Sequence, residues 1–223
     1  MLEPWSDDIW TVAAPHTMFG IHLGTRMTVV RLRDGTLLLH SPVPLTDDLA
    51  RELKALGRVA HIVCPNRFHH VHAAPMIAGF PDAKVYAPAA LRKKRRDLRI
   101  DTDLDGVTER EWGGELVPVH IDGCILDETV FVHPASRTVI SADLTENFAT
   151  SDDRYTRIYL KLAGLHGRVG WSRFFRPLYR DRRAALRSVD RLLEHDFDRL
   201  IIAHGSPLAR DAKAGIRKTF AWM

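Results

Sequence analysis

The chain has 223 residues, 45% hydrophobic and 27% charged, which suits one α/β domain over 1–223 with a sizeable core. A formal charge of +4 is small for this length, so nucleic acid is not an expected partner despite a pI near 9.3. Two cysteines give no disulfide framework, the acidic start Met1 to Asp8 lacks a signal-peptide pattern, and no apolar run reaches the roughly 18 residues of a membrane span, so a cytoplasmic protein is expected.

In chain order, Met27 to Leu32 and Thr36 to His40 flank Asp34-Gly35 and predict a hairpin. Thr46-Asp47-Asp48 opens an amphipathic helix that ends near Gly57. A short buried strand follows at Ala60 to Val63, then a histidine-rich turn, a short helix and a strand at Lys84 to Ala87. Ala89 to Leu98, which holds the run Arg92 to Arg96, reads as a solvated helix rather than a phosphate track. Leu116 to Ile121, Thr129 to His133 and Thr138 to Ser141 are rich in valine, isoleucine and threonine and read as strands. Helices are expected over Thr150 to Leu165 and Asp181 to His195, the latter with an apolar stripe of Ala185, Leu186, Val189, Leu192 and Leu193. A strand at Leu200 to Ala203 and a helix from about Leu208 close the chain. Two strand-rich halves with helices outside predict a four-layer αββα sandwich.

The chemistry concentrates in Cys64-Pro65-Asn66-Arg67-Phe68-His69-His70-Val71-His72, between a strand and a helix. Loops at such strand ends carry much of the chemistry of α/β proteins, and clustered imidazoles are common metal ligands. Adjacent histidines point in different directions on an extended backbone, so His69 and His70 need not share a metal. His72 reads as a surface residue.

The order of elements and motifs resembles the metallo-β-lactamase superfamily over nearly the whole chain. Ile140-Ser141-Ala142-Asp143-Leu144 is similar to that family's bridging-aspartate strand end, and Ile201-Ile202-Ala203-His204-Gly205 to its final histidine. The family's His-x-His-x-Asp-His motif is degenerate here, as in an uncharacterised branch that carries a His-His pair. With the strand ending at Cys64, the motif falls on Pro65 to His70; a register starting at His70-x-His72 leaves Ala74 and Pro75 as ligands and a helix of one turn. The family's turn histidine falls on Cys124, in Asp122-Gly123-Cys124.

The resemblance then implies half a metal centre. Pro65, Arg67 and Cys124 replace one ligand set, and arginine carries a permanent positive charge. The other set keeps His70, Asp143 and His204, with His69 as a fourth candidate, and would hold one divalent ion, zinc or iron. Arg67 is a candidate anion clamp for a substrate carboxylate or phosphate. Glu128 is a candidate base or a partner that orients a histidine; His40 and Cys124 are candidates to support the ligands, Cys124 also as a thiolate. Each has a structural alternative: Asp143 as a turn cap, His204 as a hydrogen-bonded strand end, Cys124 as a buried thiol. Trp171, Phe174, Phe175 and Tyr179 read as core aromatics or a pocket wall.

Three functions fit this pattern. The first is a mononuclear metal-dependent hydrolase of a small ester, lactone, thioester or phosphoester. The others are an iron-dependent oxidoreductase on the same fold and a metal-free protein that binds a small anion. The partner expected is a small molecule, with neither nucleic acid nor membrane; the oligomeric state stays open.

Overall fold

The computed structural model describes residues 1–104 and 107–223. The chain opens with four strands beyond those expected: β1 (Glu3–Ser6), β2 (Ile9–Ala14), β3 (Thr17–Met18) and β4 (Ile21–His22). The anticipated hairpin follows as β5 (Thr25–Arg31) and β6 (Thr36–His40). Its turn is fixed locally, because the Asp34 carboxylate accepts both the N–H and the hydroxyl of Thr36, at 2.9 and 2.7 Å. Helix α1 (Asp47–Leu56) starts where Thr46 Oγ1 accepts the Leu49 N–H, and Gly57 closes it by donating to Leu53 O. It buries Leu49 and Leu53, each contributing about 1.5–3 kcal/mol relative to exposure.

Next come β7 (Arg58–Val63), α2 (Ala73–Gly79), β8 (Lys84–Ala87), α3 (Ala89–Lys94) and β9 (Thr102–Asp103). The basic helix is shorter than predicted. Arg95 caps it and turns its guanidinium onto Asp97 at 2.7 and 2.9 Å, so the chain leaves the helix there. The second half contains β10 (Val117–His120), β11 (Thr129–His133), β12 (Thr138–Ile140), β13 (Glu146–Phe148), α4 (Arg154–Ala163), β14 (Arg168–Gly170), α5 (Arg182–Glu194), β15 (Arg199–Ile201) and α6 (Ala212–Phe220). Asp153 and Asp181 cap α4 and α5 by accepting the N–H groups of Thr156 and Ala184. Helix α4 therefore begins later than Thr150. Helix α6 begins later than Leu208, because Leu208 is engaged in a backbone bridge to Leu200.

Seven strands form one sheet in the order β1-β2-β5-β6-β7-β8-β9, antiparallel as far as β6 and parallel from β6 to β9. Four more form a second sheet, β10-β11-β12-β15, in which β12 and β15 are parallel. Side-chain alternation builds the layers. In β6, Leu37 and Leu39 pack outward with α1 and α2, while Leu38 faces the second sheet in a cluster with Phe131, Ile140 and Ile201. The outer face of the second sheet packs with α5 and α6 through Val189, Leu192, Ile216 and Phe220. The result is the expected αββα sandwich. Among the described residues, no helix is long and apolar enough to cross a membrane.

The same alternation relocates His40. Sharing the parity of Leu38, it lies in the layer between the sheets, edge-on to Phe131 at 5.7 Å, with both ring nitrogens buried and unpartnered. It therefore supplies no donor to the mouth of a site. Burial, with a smaller contribution from the His69 charge, lowers its pKa to about 3. His40 is thus neutral when folded and takes up a proton on unfolding below pH 6.5. The sign is clear: its contribution is constant above pH 6.5 and stability falls as pH drops toward 3, by about 1.4 kcal/mol per pH unit. Urea unfolding at pH 7 and pH 5 should show His40→Leu losing roughly 2 kcal/mol less than the unsubstituted protein across that interval.

Candidate metal centre

Three side chains converge beyond the ends of β7, β12 and β15. His69 Nε2 and His204 Nε2 each lie 3.3 Å from Asp143 Oδ1. Their ligating atoms lie within 4.8 Å of one another, the single such group of metal-competent residues among those described. The loops that carry them are fixed by buried polar groups. Asn66 Oδ1 accepts the N–H groups of Phe68 and His69, both at 2.9 Å, which folds the histidine turn back on itself. Its Nδ2 donates to Asp143 Oδ2 at 2.8 Å and to Glu128 Oε2 at 3.3 Å. Glu128 in turn accepts the backbone N–H groups of Ala142 and Asp143 at 2.8–3.1 Å.

The imidazoles are oriented from behind. His204 Nδ1 lies 2.7 Å from Gly24 O and can only donate to that carbonyl, so Nε2 is the atom turned to Asp143. His69 Nδ1 lies 2.7 Å from Ser41 Oγ, which leaves its Nε2 on the same side. Arg26 steadies the His204 loop by donating from Nη1 to the carbonyls of Ile202 and Gly205, at 2.7 and 2.8 Å. Gly205 has φ 85°, and a Cβ there would run into the backbone of Asn147, so the turn after His204 requires glycine.

Electrostatics follow from burial and proximity. Burial works to raise the Asp143 carboxyl, yet His69 and His204 outweigh it and hold that group well below the usual carboxylate range. Burial disfavours charge on His204, but the Asp143 hydrogen bond and charge raise it to about 9. Burial, then the Asp143 charge, pushes Glu128 up to about 8. Glu146 is pushed up to about 7 by burial, and its Oε2 has no hydrogen-bond partner.

A cavity of about 590 Å³ opens on the cluster, lined by His69, Asp143 and His204 together with Glu146, His16 and His72. The rest of its wall is largely apolar, including Ile21, Leu23, Trp171, Phe174, Phe175 and Leu178. Trp171, Phe174 and Phe175 thus form a pocket wall, while Tyr179 belongs to the core.

Several sequence-derived assignments are corrected. His70 does not join the cluster: it is buried on the other side of the turn, with Nδ1 accepting from Arg95 Nη1 at 2.8 Å. Burial, and then the Lys94 and Arg95 charges, lower it to about 4. Arg67 does not line the cavity; its Nη1 points to Ile125 O at 3.4 Å and its backbone N–H donates to Leu126 O. Glu128 is also absent from the cavity wall, because backbone amides and Asn66 occupy its oxygens. Cys124 pairs its backbone with Tyr179, and burial pushes its thiol up to about 11, which argues against a resident thiolate. His72, read as a surface residue, lines the cavity. The structure adds Asn66, His16 and Glu146 to the site, and the histidine contact expected at the end of the His40 strand comes from the neighbouring Ser41. Of these only Asn66 carries a local signal, as an asparagine after proline in a turn.

A family model described as "Domain of unknown function (DUF4336)" matches residues 6–90. No curated protein matches the sequence. Among solved structures, a metallo-β-lactamase from Pontibacter korlensis aligns with a TM-score of 0.67 at 12% identity, covering 98% of this chain and 99% of that one. The metallo-β-lactamase FIM-1 from Pseudomonas aeruginosa, in its mono-zinc form, gives 0.66 at 12% identity, with 100% and 95% covered. The metallo-β-lactamase DIM-1 gives 0.69 at 14% identity, with 100% and 96% covered. At these identities the likeness is one of fold, and the fold is that of the metallo-β-lactamases.

Because Asn66 serves two backbone amides and two buried carboxylates, its loss leaves several groups unsatisfied. Asn66→Ala is expected to cost about 2–4 kcal/mol in urea unfolding. Asn66→Asp, which adds a third carboxylate beside Asp143 and Glu128, is expected to cost more.

Proposed function

We propose that the chain is a mononuclear metal-dependent hydrolase in which His69, Asp143 and His204 hold one divalent ion. The observation that carries this reading is the convergence of two Nε2 atoms and Oδ1 on one point, with both Nδ1 atoms engaged elsewhere. Two imidazoles and a carboxylate with an open side toward a cavity form a donor set that zinc accepts. Bound there, the ion supplies an acidified water and an electrophile for a substrate oxygen. One of the similar folds cited above is a mono-zinc form, so a single ion on this scaffold has a precedent in that protein.

The chain's own groups supply the rest. Asp143 and the two histidines orient the reacting centre, and their backbone amides and carbonyls are tied down so that the geometry is set in advance. Glu146 lines the cavity and carries an unpartnered oxygen with its pKa raised toward neutrality, the properties of a group that accepts a proton from an attacking water. Substrates across the ester, lactone, thioester and phosphoester classes are compatible with this chemistry.

The donor set itself motivates a second reading. Two histidines and one carboxylate also match a facial iron site, so an oxygen-dependent oxidoreductase is the alternative. Anaerobic reconstitution with iron and with zinc separates the two, since turnover would then need iron and oxygen. The anion-binding reading loses its motive, because Arg67 is turned away from the cavity.

Elemental analysis of protein reconstituted at neutral pH should find about one metal per chain. His69→Ala and His204→Ala should abolish that binding while His70→Ala keeps it; an unloaded protein, or loss in His70→Ala alone, would overturn the ligand set. Glu146→Gln should retain the metal and lower kcat by about 10²- to 10⁴-fold.

A further inference from the structure

The cavity has two chemically different ends. At one, His69, Asp143, His204 and Glu146 gather; beyond them the wall is built from aliphatic and aromatic side chains. Its volume of about 590 Å³ lies within the range that encloses small organic ligands. Among the described residues that line it none is lysine or arginine, and the carboxylates are Asp143 and Glu146. Away from that cluster the wall offers a charged group nothing to replace its water, so the part of a substrate that fills it must be apolar.

The rim continues the apolar wall outward. Phe19, Phe68, Val71 and Phe174 line the cavity yet are 87%, 49%, 57% and 55% exposed. Exposed apolar residues gathered in the lining of one pocket mark a site of contact with apolar matter. Inside, Trp171 keeps Nε1 buried with no hydrogen-bond partner, although the residue is part of the wall.

We infer that the substrate is an uncharged carboxylic ester with an apolar acyl chain, the chain filling the cavity and the carbonyl lying beside His69, Asp143 and His204. This narrows, and rests on, the hydrolase reading above. In the reaction a water oxygen bonds to the acyl carbon, the bond from that carbon to the alcohol oxygen breaks, and the alcohol leaves with a proton. The products are a carboxylic acid and an alcohol.

Two measurements test this and fail separately. In metal-free protein, 1-decanol titrated against intrinsic tryptophan fluorescence should bind at least tenfold more tightly than decanoate, and Phe174→Asp should weaken decanol. Absent decanol binding, or equal or tighter binding of decanoate, overturns the inference and leaves the metal assignment standing. In zinc-loaded protein, kcat/KM for p-nitrophenyl esters should climb from acetate to octanoate, by up to about fourfold per methylene. A flat series, or faster turnover of p-nitrophenyl phosphate, overturns the substrate class. Decanol binding with no turnover of any ester overturns the hydrolase reading and the ester assignment with it.

Discussion

The carboxamide of Asn66 is the interaction on which the centre depends. It is fully buried and joins the histidine turn to the second sheet. Its oxygen sets the direction of His69 by holding two successive amides, and its nitrogen sets Asp143 by donating to the oxygen not facing the histidines. Glu128 completes the frame by holding the Asp143 backbone from below. Two carboxyl groups in this volume repel, and the response is visible: Glu128 is pushed up to about 8 while Asp143, next to two imidazoles, is held low. One group acts as a near-neutral scaffold and the other as the charged acceptor. The Asn66 amide donates to both of them.

The fold explains why these residues meet. The parallel pairs β6–β7 and β12–β15 point their C-terminal ends the same way, and the two sheets bring those ends to one edge. Ser41, His69, Asp143 and His204 all follow the strands at that edge, where open α/β sheets place their ligands. Gly24, just before β5, contributes a carbonyl from an antiparallel neighbour. The parallel strands need covered faces, and α1 with α5 and α6 provide them. Strand pairing thus brings residues far apart in sequence to one edge, where Asn66 and Glu128 fix their loops.

The architecture was largely legible because caps, turn residues and alternation act over a few residues. Thr46, Asp34-Gly35 and Asp181 each encode a local geometry that the chain adopts. The N-terminal strands were not, since β3 and β4 are two residues each and Pro4, Trp5 and Ser6 carry weak alternation. At the centre, His204 and Asp143 were legible through the resemblance of their strand-end motifs to those of the metallo-β-lactamase superfamily, since a strand end alone leaves them as a hydrogen-bonded histidine and a turn cap. The choice between His69 and His70 was not legible, because it is made by Asn66 inside the turn and by Arg95 from across it. His40 and Ser41 differ in the same way. Strand parity sends His40 into the core, and a φ of 61° at Ser41 breaks the strand and turns the hydroxyl onto His69. Glu146 has no motif, and only the third dimension places it beside Asp143 in one cavity.

The electrostatics of the cavity connect its two inferred properties. Asp143 and Glu146 are buried carboxylates in a wall whose described residues include no lysine or arginine. Protons meet part of that demand, held by His204 and shared with Glu146 near neutrality. A divalent cation meets it more fully, because it also satisfies the imidazole lone pairs that the Ser41 and Gly24 contacts leave directed inward. An anion in the same place would add to the excess and would need to bring its own counter-charge. The two carboxylates draw a cation to the empty site, a bound divalent ion offsets their charge, and selection among substrates then falls to the apolar wall.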